Sequence, residues 1–202
     1  MAPPLLYLRI AAPTAPEQLA EALAGGLVAC VLLEASYLAA SDDDARGLIV
    51  VAAEHGVPTL VEAGAETAER LSAGGVHLPH SLSNKATIAG ARARLGDAAA
   101  IGAEAGVSRH LAMELGEAGA DYVSLGGGGR HDVGQIENIV RWWSELIETP
   151  CVAWHSGGHA EASRLAAAGA DFLAVGDLVW DADCSPREAI ERLHRGGATG
   201  AR

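Results

Sequence analysis

Histidines that follow predicted strands are the side chains in this sequence best suited to proton transfer. His80, His131 and His155 each come at or just after the end of an apolar run. An imidazole titrates near neutral pH, so it can act as a general acid or base. These three residues are the candidate catalytic residues. His77 lies inside a strand-like run instead, and we expect it to be a hydrogen-bonded structural residue.

Two turns in the last quarter of the chain favour the binding of phosphate or another small anion. One contains Ser156-Gly157-Gly158 before a helical pattern, and the other is Gly176-Asp177 after the last apolar run. Glycine lets backbone N–H groups approach an anion, and a helix N-terminus attracts negative charge. The candidate phosphate-binding residues are therefore Ser156, Gly157, Gly158, Gly176 and Asp177. The alternative that these glycines only form tight turns stays open.

A run of four glycines at 126–129 precedes Arg130, His131 and Asp132. This segment is interpreted either as a lid in which Arg130 pairs with the anion, or as a loop without ligand contact. Arg130 therefore joins the candidate phosphate-binding residues. A metal site built from His131 and Asp132 with His155 or His159 would need three converging ligands, which spacing alone does not establish. No metal ligand is predicted.

These candidate residues must be positioned by alternating strands and helices. Apolar runs indicate strands, and Ala/Leu/Glu-rich stretches with Ser108, Ser185 and Pro186 as start signals indicate the intervening helices. The predicted strands are 5–10, 29–33, 58–62, 75–78, 99–102, 121–125, 151–155 and 172–176. The predicted helices are 16–25, 42–55, 65–73, 83–95, 107–118, 135–147, 159–168 and 185–195.

Eight such units predict an α/β fold of the (β/α)8 TIM-barrel class, with residues 1–202 as one domain. An open doubly wound sheet is the rival, but no GxGxxG motif follows the first strand. In a barrel of this class the strand ends that carry the candidate residues meet at one rim. We therefore expect Gly126, His155 and Gly176 at the same end of the barrel.

The charge and composition exclude several classes of partner. The chain has 14 Lys and Arg against 26 Asp and Glu, a formal net charge of -12, which disfavours nucleic acids and anionic membranes. Its three cysteines have no CxxC spacing, so neither a disulfide framework nor a zinc site is indicated. Without a signal-peptide pattern or a long apolar run, the expected location is the cytoplasm.

A series of short motifs extends over most of the chain. The motifs are Leu6-Tyr7-Leu8, Gly56-Val57-Pro58, Gly75-Val76-His77-Leu78, Ile101-Gly102, Gly119-Ala120-Asp121-Tyr122-Val123, Pro150 to Ala153 with Gly157-Gly158, and Gly169-Ala170-Asp171 with Ala174-Val175. In this order they resemble the thiamine phosphate synthase/TenI family. The string GVHL followed by GADYV at this separation is the more specific part.

The resemblance implies a (β/α)8 barrel and an enzyme that joins an aminopyrimidine diphosphate to a thiazole phosphate. Such an enzyme releases pyrophosphate with the help of magnesium, so magnesium is the implied cofactor if the family reaction is retained. The thiazole-phosphate end corresponds here to Gly157, Gly158, Gly176 and Asp177.

This sequence departs from the family pattern at the positions that handle pyrophosphate and metal. Glu34, Glu62 and Glu104 stand where the resemblance implies cations, an amide or a serine. Ala63 and Leu82 replace acidic residues, His80 replaces a glutamine, and the glycine run replaces a Thr/Lys-rich loop. Carboxylates repel a diphosphate unless a metal neutralises them. The alternative of a substituted metal site stays open, but the simpler expectation is that pyrophosphate-releasing transfer is weak or absent.

Three functions remain open from the sequence. The chain is a family transferase with rearranged ligands, a related enzyme such as a thiazole tautomerase that uses His131, His155 or His80, or a non-catalytic barrel that binds a ligand or a partner. A small phosphorylated ligand is expected in each enzymatic case. The adjacent Trp142 and Trp143 cannot both face the core, so a homodimer contact by one of them is also expected.

Overall fold

The strands of this chain pair in parallel and in sequence order, and the last strand pairs with the first. The computed structural model describes residues 4–127, 131–154 and 157–200, with side chains as far as residue 195. Arg130, His155 and Ser156, three of the predicted site residues, lie outside the described residues. The strands are β1 (Leu5–Ile10), β2 (Val28–Leu33), β3 (Thr59–Val61), β4 (Gly75–Leu78), β5 (Ala100–Gly106), β6 (Tyr122–Leu125), β7 (Cys151–Trp154) and β8 (Phe172–Val175).

Helices connect these strands on the outside of the closed sheet, so the predicted (β/α)8 TIM barrel is confirmed. They are α1 (Pro16–Leu23), α2 (Ala35–Leu38), α3 (Asp42–Glu54), α4 (Ala65–Leu71), α5 (Lys85–Leu95), α6 (Arg109–Glu117), α7 (Val133–Leu146), α8 (His159–Ala167), α9 (Asp177–Trp180) and α10 (Pro186–Gly200), with a 3₁₀ turn at His80–Leu82.

Serine side chains cap the N-termini of two helices. The Ser108 hydroxyl accepts the Leu111 N–H at the start of α6, and the Ser185 hydroxyl accepts the Glu188 N–H before α10. Each bond satisfies a backbone donor that the helix itself leaves unpaired. Both serines were predicted as caps, and the structure confirms them.

Strand β5 differs from its predicted range, because it extends four residues beyond 102 and ends at Gly106. The segment AIGAEAG is rich in alanine and glycine, which are depleted in strands. Pairing with β4 on one side and β6 on the other holds it extended, with a register shift between Glu104 and Gly106. Glu104 therefore lies within the strand and not after it.

Successive side chains of each strand point to opposite faces of the sheet, so they pack in two separate regions. One face packs against the helices in a large apolar core. The other face fills the barrel interior with a second cluster formed by Tyr7, Leu32, Leu60, Tyr122, Val152, Trp154 and Ala174. Among the described residues no helix combines the length and the hydropathy needed to cross a membrane.

Candidate active site

The C-terminal rim of the barrel carries a layer of inward-facing polar residues. Residues two positions apart on a strand point to the same side, so the residues that follow the interior cluster also face inward. Arg9 follows Tyr7, Glu34 follows Leu32, Glu62 follows Leu60, and Ser124 follows Tyr122. Glu104 is in register with Ser124 on the neighbouring strand. We call Arg9, Glu34, Glu62, Glu104 and Ser124 the rim layer.

Arg9 is the cation of the rim layer and has three neighbours. Its Nη2 lies 2.6 Å from Glu34 Oε1, with both side chains about 15% exposed. Its guanidinium carbon lies 4.4 Å from the centre of the Trp154 ring. Its Nη1 lies 3.9 Å from the place that a Cβ would occupy on Gly176. The guanidinium therefore stands beside the turn that follows β8.

The other two carboxylates of the rim layer accept backbone hydrogen bonds. Glu62 Oε2 accepts the Ala35 N–H at 2.9 Å, and Glu104 Oε2 accepts the His80 N–H at 3.0 Å. Burial raises the pKa of Glu62 above its usual value, and the negative charges of Glu34 and Glu104 add to that increase. The three carboxylates thus share one electrostatic environment.

Directly below the rim layer lies a buried polar cluster on three strands. The Tyr7 and Tyr122 hydroxyls are 2.8 Å apart, and the Tyr122 hydroxyl lies 2.9 Å from His77 Nδ1. Burial lowers the pKa of His77 to about 3, so the imidazole is neutral at pH 7. Burial also raises the pKa of both tyrosines. His77 is hydrogen-bonded through Nδ1 as expected, but its buried Nε2 has no partner in the part of the chain that the structure describes.

His80 and His131, two of the predicted catalytic residues, line one cleft at the rim. The cleft has a volume of about 590 Å³ and also contains Glu104 and Gly127. A Cβ on Gly127 would overlap the Glu104 carboxylate, so a side chain at this position would force Glu104 to shift. His80 is exposed on its 3₁₀ turn, whereas His131 is partly buried. The cleft therefore contains two imidazoles, which can accept or donate a proton, and one carboxylate.

The predicted anion-binding turns lie at the same rim, because both follow C-terminal strand ends. Gly158 is the N-cap residue of α8, and Gly176 precedes the four-residue helix α9. A Cβ on Gly157 would overlap the Glu161 carboxylate, so an acidic side chain already lies against this turn. Asp177 is exposed on the far side of Gly176.

A metal site at His131 would also need Asp132 as a ligand. Asp132 serves as the N-cap of α7, where its Oδ1 accepts the Gln135 N–H at 3.0 Å. Across the ranges that the structure describes, no group of three His, Cys, Asp or Glu side chains is placed to hold a metal ion. The rim carboxylates that follow β2 and β3 and the one on β5 therefore do not form such a group of three.

The motifs that carry the resemblance lie on or beside seven of the eight strands of a closed barrel. A family model described as thiamine monophosphate synthase matches residues 9–179. This chain belongs to that family. A thiamine-phosphate synthase of Erythrobacter litoralis is 41% identical over 146 residues, which cover 69% of this chain and 67% of the relative. One of Rhodospirillum centenum is 34% identical and spans 96% of this chain and 93% of the relative.

Two solved structures are similar in fold to this chain. A thiamine phosphate pyrophosphorylase from Pyrococcus furiosus has a TM-score of 0.79 at 22% identity, covering 98% of this chain and 97% of that one. An orotidine 5'-monophosphate decarboxylase from Sulfolobus solfataricus has a TM-score of 0.78 at 14% identity, covering 98% and 100%. At these identities the likeness establishes the barrel alone.

Two residues of the rim were missed by the sequence analysis. Arg9 lies in the first predicted strand, where its inward direction follows from alternation with the motif residue Tyr7. Ser124 lies inside the GADYV-SL segment, and its hydroxyl is buried without a hydrogen-bond partner among the described residues. Side chains two positions apart on a strand face the same side. Counting two positions on from the interior residues Tyr7 and Tyr122 could therefore have identified Arg9 and Ser124.

The two adjacent tryptophans on α7 have different environments. Trp143 is 1% exposed and donates its indole N–H to the Thr149 carbonyl at 2.7 Å. Trp142 is partly buried, with the Arg109 guanidinium carbon 4.8 Å from its ring centre. The expectation that one of the pair packs inward is confirmed, and Trp142 has a contact within its own chain.

Proposed function

We propose that this chain is a divergent member of its family that binds a small phosphorylated, thiazole-phosphate-like ligand between the β7 and β8 ends of the rim. The observation that carries the proposal is the position of the Arg9 guanidinium beside Gly176. A guanidinium and free backbone N–H groups at a helix start are the usual partners of a phosphate. Gly158 supplies such a helix start at α8.

The same rim argues against efficient formation of thiamine phosphate, the reaction named for the relatives. A leaving pyrophosphate requires preorganised cations and hydrogen-bond donors. The rim layer holds three carboxylates and one guanidinium, and that guanidinium lies beside Gly176 on the β8 side. We therefore propose that the transfer reaction is weak or absent in this chain.

Two of the acidic positions that the family reaction implies for magnesium carry apolar residues in this chain. Ala63 and Leu82 stand at positions where the family pattern has acidic residues, and no metal-holding cluster occurs in the described parts of the chain. Accordingly, no step of the proposed function is assigned to a metal.

A thiazole tautomerase-like activity is the second candidate, and the cleft with His80, His131 and Glu104 is the observation that favours it. Proton transfer between two positions of a small heterocycle needs one acid and one base within reach of the ligand. His131 on one wall and Glu104 on another supply both chemical types. His155, the other predicted catalytic residue, follows β7 in the sequence and lies outside the described residues.

A homodimer is proposed through the outer face of α6 and α7. Leu146 is 65% exposed and Met113 is 43% exposed, and both lie on these neighbouring helices with Trp142. Exposed apolar side chains of this size often mark contacts between subunits. Sedimentation of the protein and of a Leu146→Glu variant tests this, since a dimer through this face would dissociate in the variant.

A matched pair of substitutions at Gly158 tests the proposed phosphate site. A Cβ at Gly158 contacts nothing within 4 Å, and its φ of -77° suits any residue, so Gly158→Asn and Gly158→Asp should both fold. Both side chains are good N-caps, but only aspartate repels an anion. Thiazole phosphate should raise the melting temperature of the wild type and of Gly158→Asn, and not of Gly158→Asp. Equal shifts in both variants would refute the site.

A further inference from the structure

We propose that the side of the rim layer opposite the phosphate turns is a binding site for a small organic cation with nitrogen donors, such as an amidine. The site is formed by Glu62 and Glu104, with Ser124 beside them and His77 below. Strands β3 to β6 carry these residues, whereas the phosphate turns follow β7 and β8. The proposal therefore concerns a different part of the rim from the proposed phosphate site and does not depend on it.

The first argument is the charge that faces the barrel axis. Glu34, Glu62 and Glu104 point inward, and among the described residues Arg9 is the cation that lies with them. Arg9 pairs with Glu34 and stacks on Trp154, and its effect on the pKa of Glu62 is smaller than that of either neighbouring carboxylate. A cation in this part of the rim would remove repulsion between Glu62 and Glu104.

The second argument is the presence of buried polar atoms that lack partners. His77 Nε2 and Ser124 Oγ belong to residues that are 0% exposed, and neither atom has a hydrogen-bond partner among the described residues. A buried polar atom without a partner costs roughly 1–3 kcal/mol, which a bound ligand can recover. Such atoms are uncommon in folded proteins and often mark functional positions.

Both of these atoms face the interior and not the helices. The Tyr122 ring belongs to the interior cluster, and Ser124 lies two positions later on the same strand. The His77 ring lies 5.3 Å from the Trp154 ring, and its Nδ1 is engaged by Tyr122. Because the two nitrogens of an imidazole point in widely different directions, Nε2 is directed away from that hydroxyl.

The arrangement of the acidic groups favours an organic cation over a metal ion. A metal needs ligand atoms that converge within about 2–2.6 Å of one point, and in the ranges described no acidic or histidine group converges in that way. Each carboxylate already accepts one backbone N–H, from Ala35 for Glu62 and from His80 for Glu104. An amidinium presents several donors over a wider span than a metal ion, so it can donate to more than one carboxylate.

The experiment uses benzamidine as the cationic probe and benzamide as its neutral analogue of nearly the same shape. Isothermal titration of the full chain is carried out in a phosphate-free buffer. We expect benzamidine to bind with a Kd on the order of 1 mM or tighter, and benzamide at least tenfold more weakly. Glu62→Gln and Glu104→Gln should each weaken benzamidine roughly fivefold, the scale of one partly exposed charge pair.

Three controls make the outcome specific. Glu54→Gln, at the exposed end of α3, should leave the affinity unchanged. Gly158→Asp should also leave it unchanged, so loss of the phosphate site and loss of the cation site are distinguishable. In ¹H–¹⁵N spectra, benzamidine should shift the Ser124 and Glu104 amide signals. Equal binding of the two probes, or unchanged affinity in both Gln variants, would overturn the proposal.

Discussion

The guanidinium of Arg9 lies 4.4 Å from the centre of the Trp154 ring while its Nη2 lies 2.6 Å from the Glu34 carboxylate. This arrangement fixes the rim cation between an aromatic face and an anion, with little exposure for either charged side chain. A guanidinium can stack and pair in this way because it is planar and delocalised. The pair therefore contributes to stability as well as to the charge of the rim.

Removal of Arg9 should destabilise the barrel. In Arg9→Met the Glu34 carboxylate loses its partner while it remains largely buried, so we expect the free energy of unfolding to fall by about 3 kcal/mol. The double variant Arg9→Met/Glu34→Leu should recover part of that loss. Urea denaturation measures both. Arg187→Met, which breaks an exposed pair on α10, is the control and should change stability much less.

The outcome that contradicts this account is a double variant that is less stable than Arg9→Met by the full effect of Glu34→Leu alone. Additive effects would mean that the two side chains do not stabilise each other.

The buried His77 should make stability depend on pH in acid. The unfolded imidazole titrates near 6.5, whereas burial lowers the pKa of His77 to about 3 in the folded chain. Between these values the unfolded chain binds one more proton, so stability is full above pH 6.5 and falls as the pH decreases. The expected slope from this residue is about 1.4 kcal/mol per pH unit.

Unfolding free energies at pH 7, 6 and 5 test this effect of His77. His77→Gln should lose the slope that His77 contributes, whatever its stability at pH 7. His55→Gln, at the exposed end of α3, should keep the wild-type slope. Equal slopes in the wild type and in His77→Gln would show that His77 is not a neutral buried histidine.

Glu161 should compete with phosphate at the start of α8. Its carboxylate lies against Gly157, where a Cβ would overlap it. A charge at a helix N-terminus is worth about 0.3–1 kcal/mol, so Glu161→Gln should tighten the binding of inorganic phosphate roughly two- to fivefold. Isothermal titration at constant ionic strength measures this. Glu17→Gln, at the first turn of α1, should have no such effect, and equal affinities in both variants would argue against a site at Gly157 and Gly158.

The alternation of side chains along each strand decides which parts of the site could be predicted from the sequence alone. Eight apolar runs predicted the barrel, and the positions of Gly126 and Gly176 at one rim followed from the fold. Glu34, Glu62 and Glu104 were identified by comparison with the family pattern, but their common inward direction depends on the strand register. The Arg9–Glu34 ion pair joins neighbouring strands whose partner positions local sequence does not determine.

The hydrogen bonds among the polar residues of the barrel interior could not be predicted from the sequence either. Tyr7, His77 and Tyr122 are far apart along the chain, and only closure of the sheet brings their polar atoms together. The short helices α2 and α9 were not predicted, because a single turn is too short to show a helical period.

Pyrophosphate release is the most direct test of the proposed loss of family chemistry. The chain is supplied with aminopyrimidine diphosphate, thiazole phosphate and magnesium, and the thiamine-phosphate synthase of Erythrobacter litoralis is assayed in parallel as the active relative. Loss of one preorganised donor costs on the order of 10²-fold or more in rate, so we expect release by this chain at least that much slower than by the relative. Turnover of roughly 1 s⁻¹ or faster, within the ordinary range of enzymes, would contradict the account.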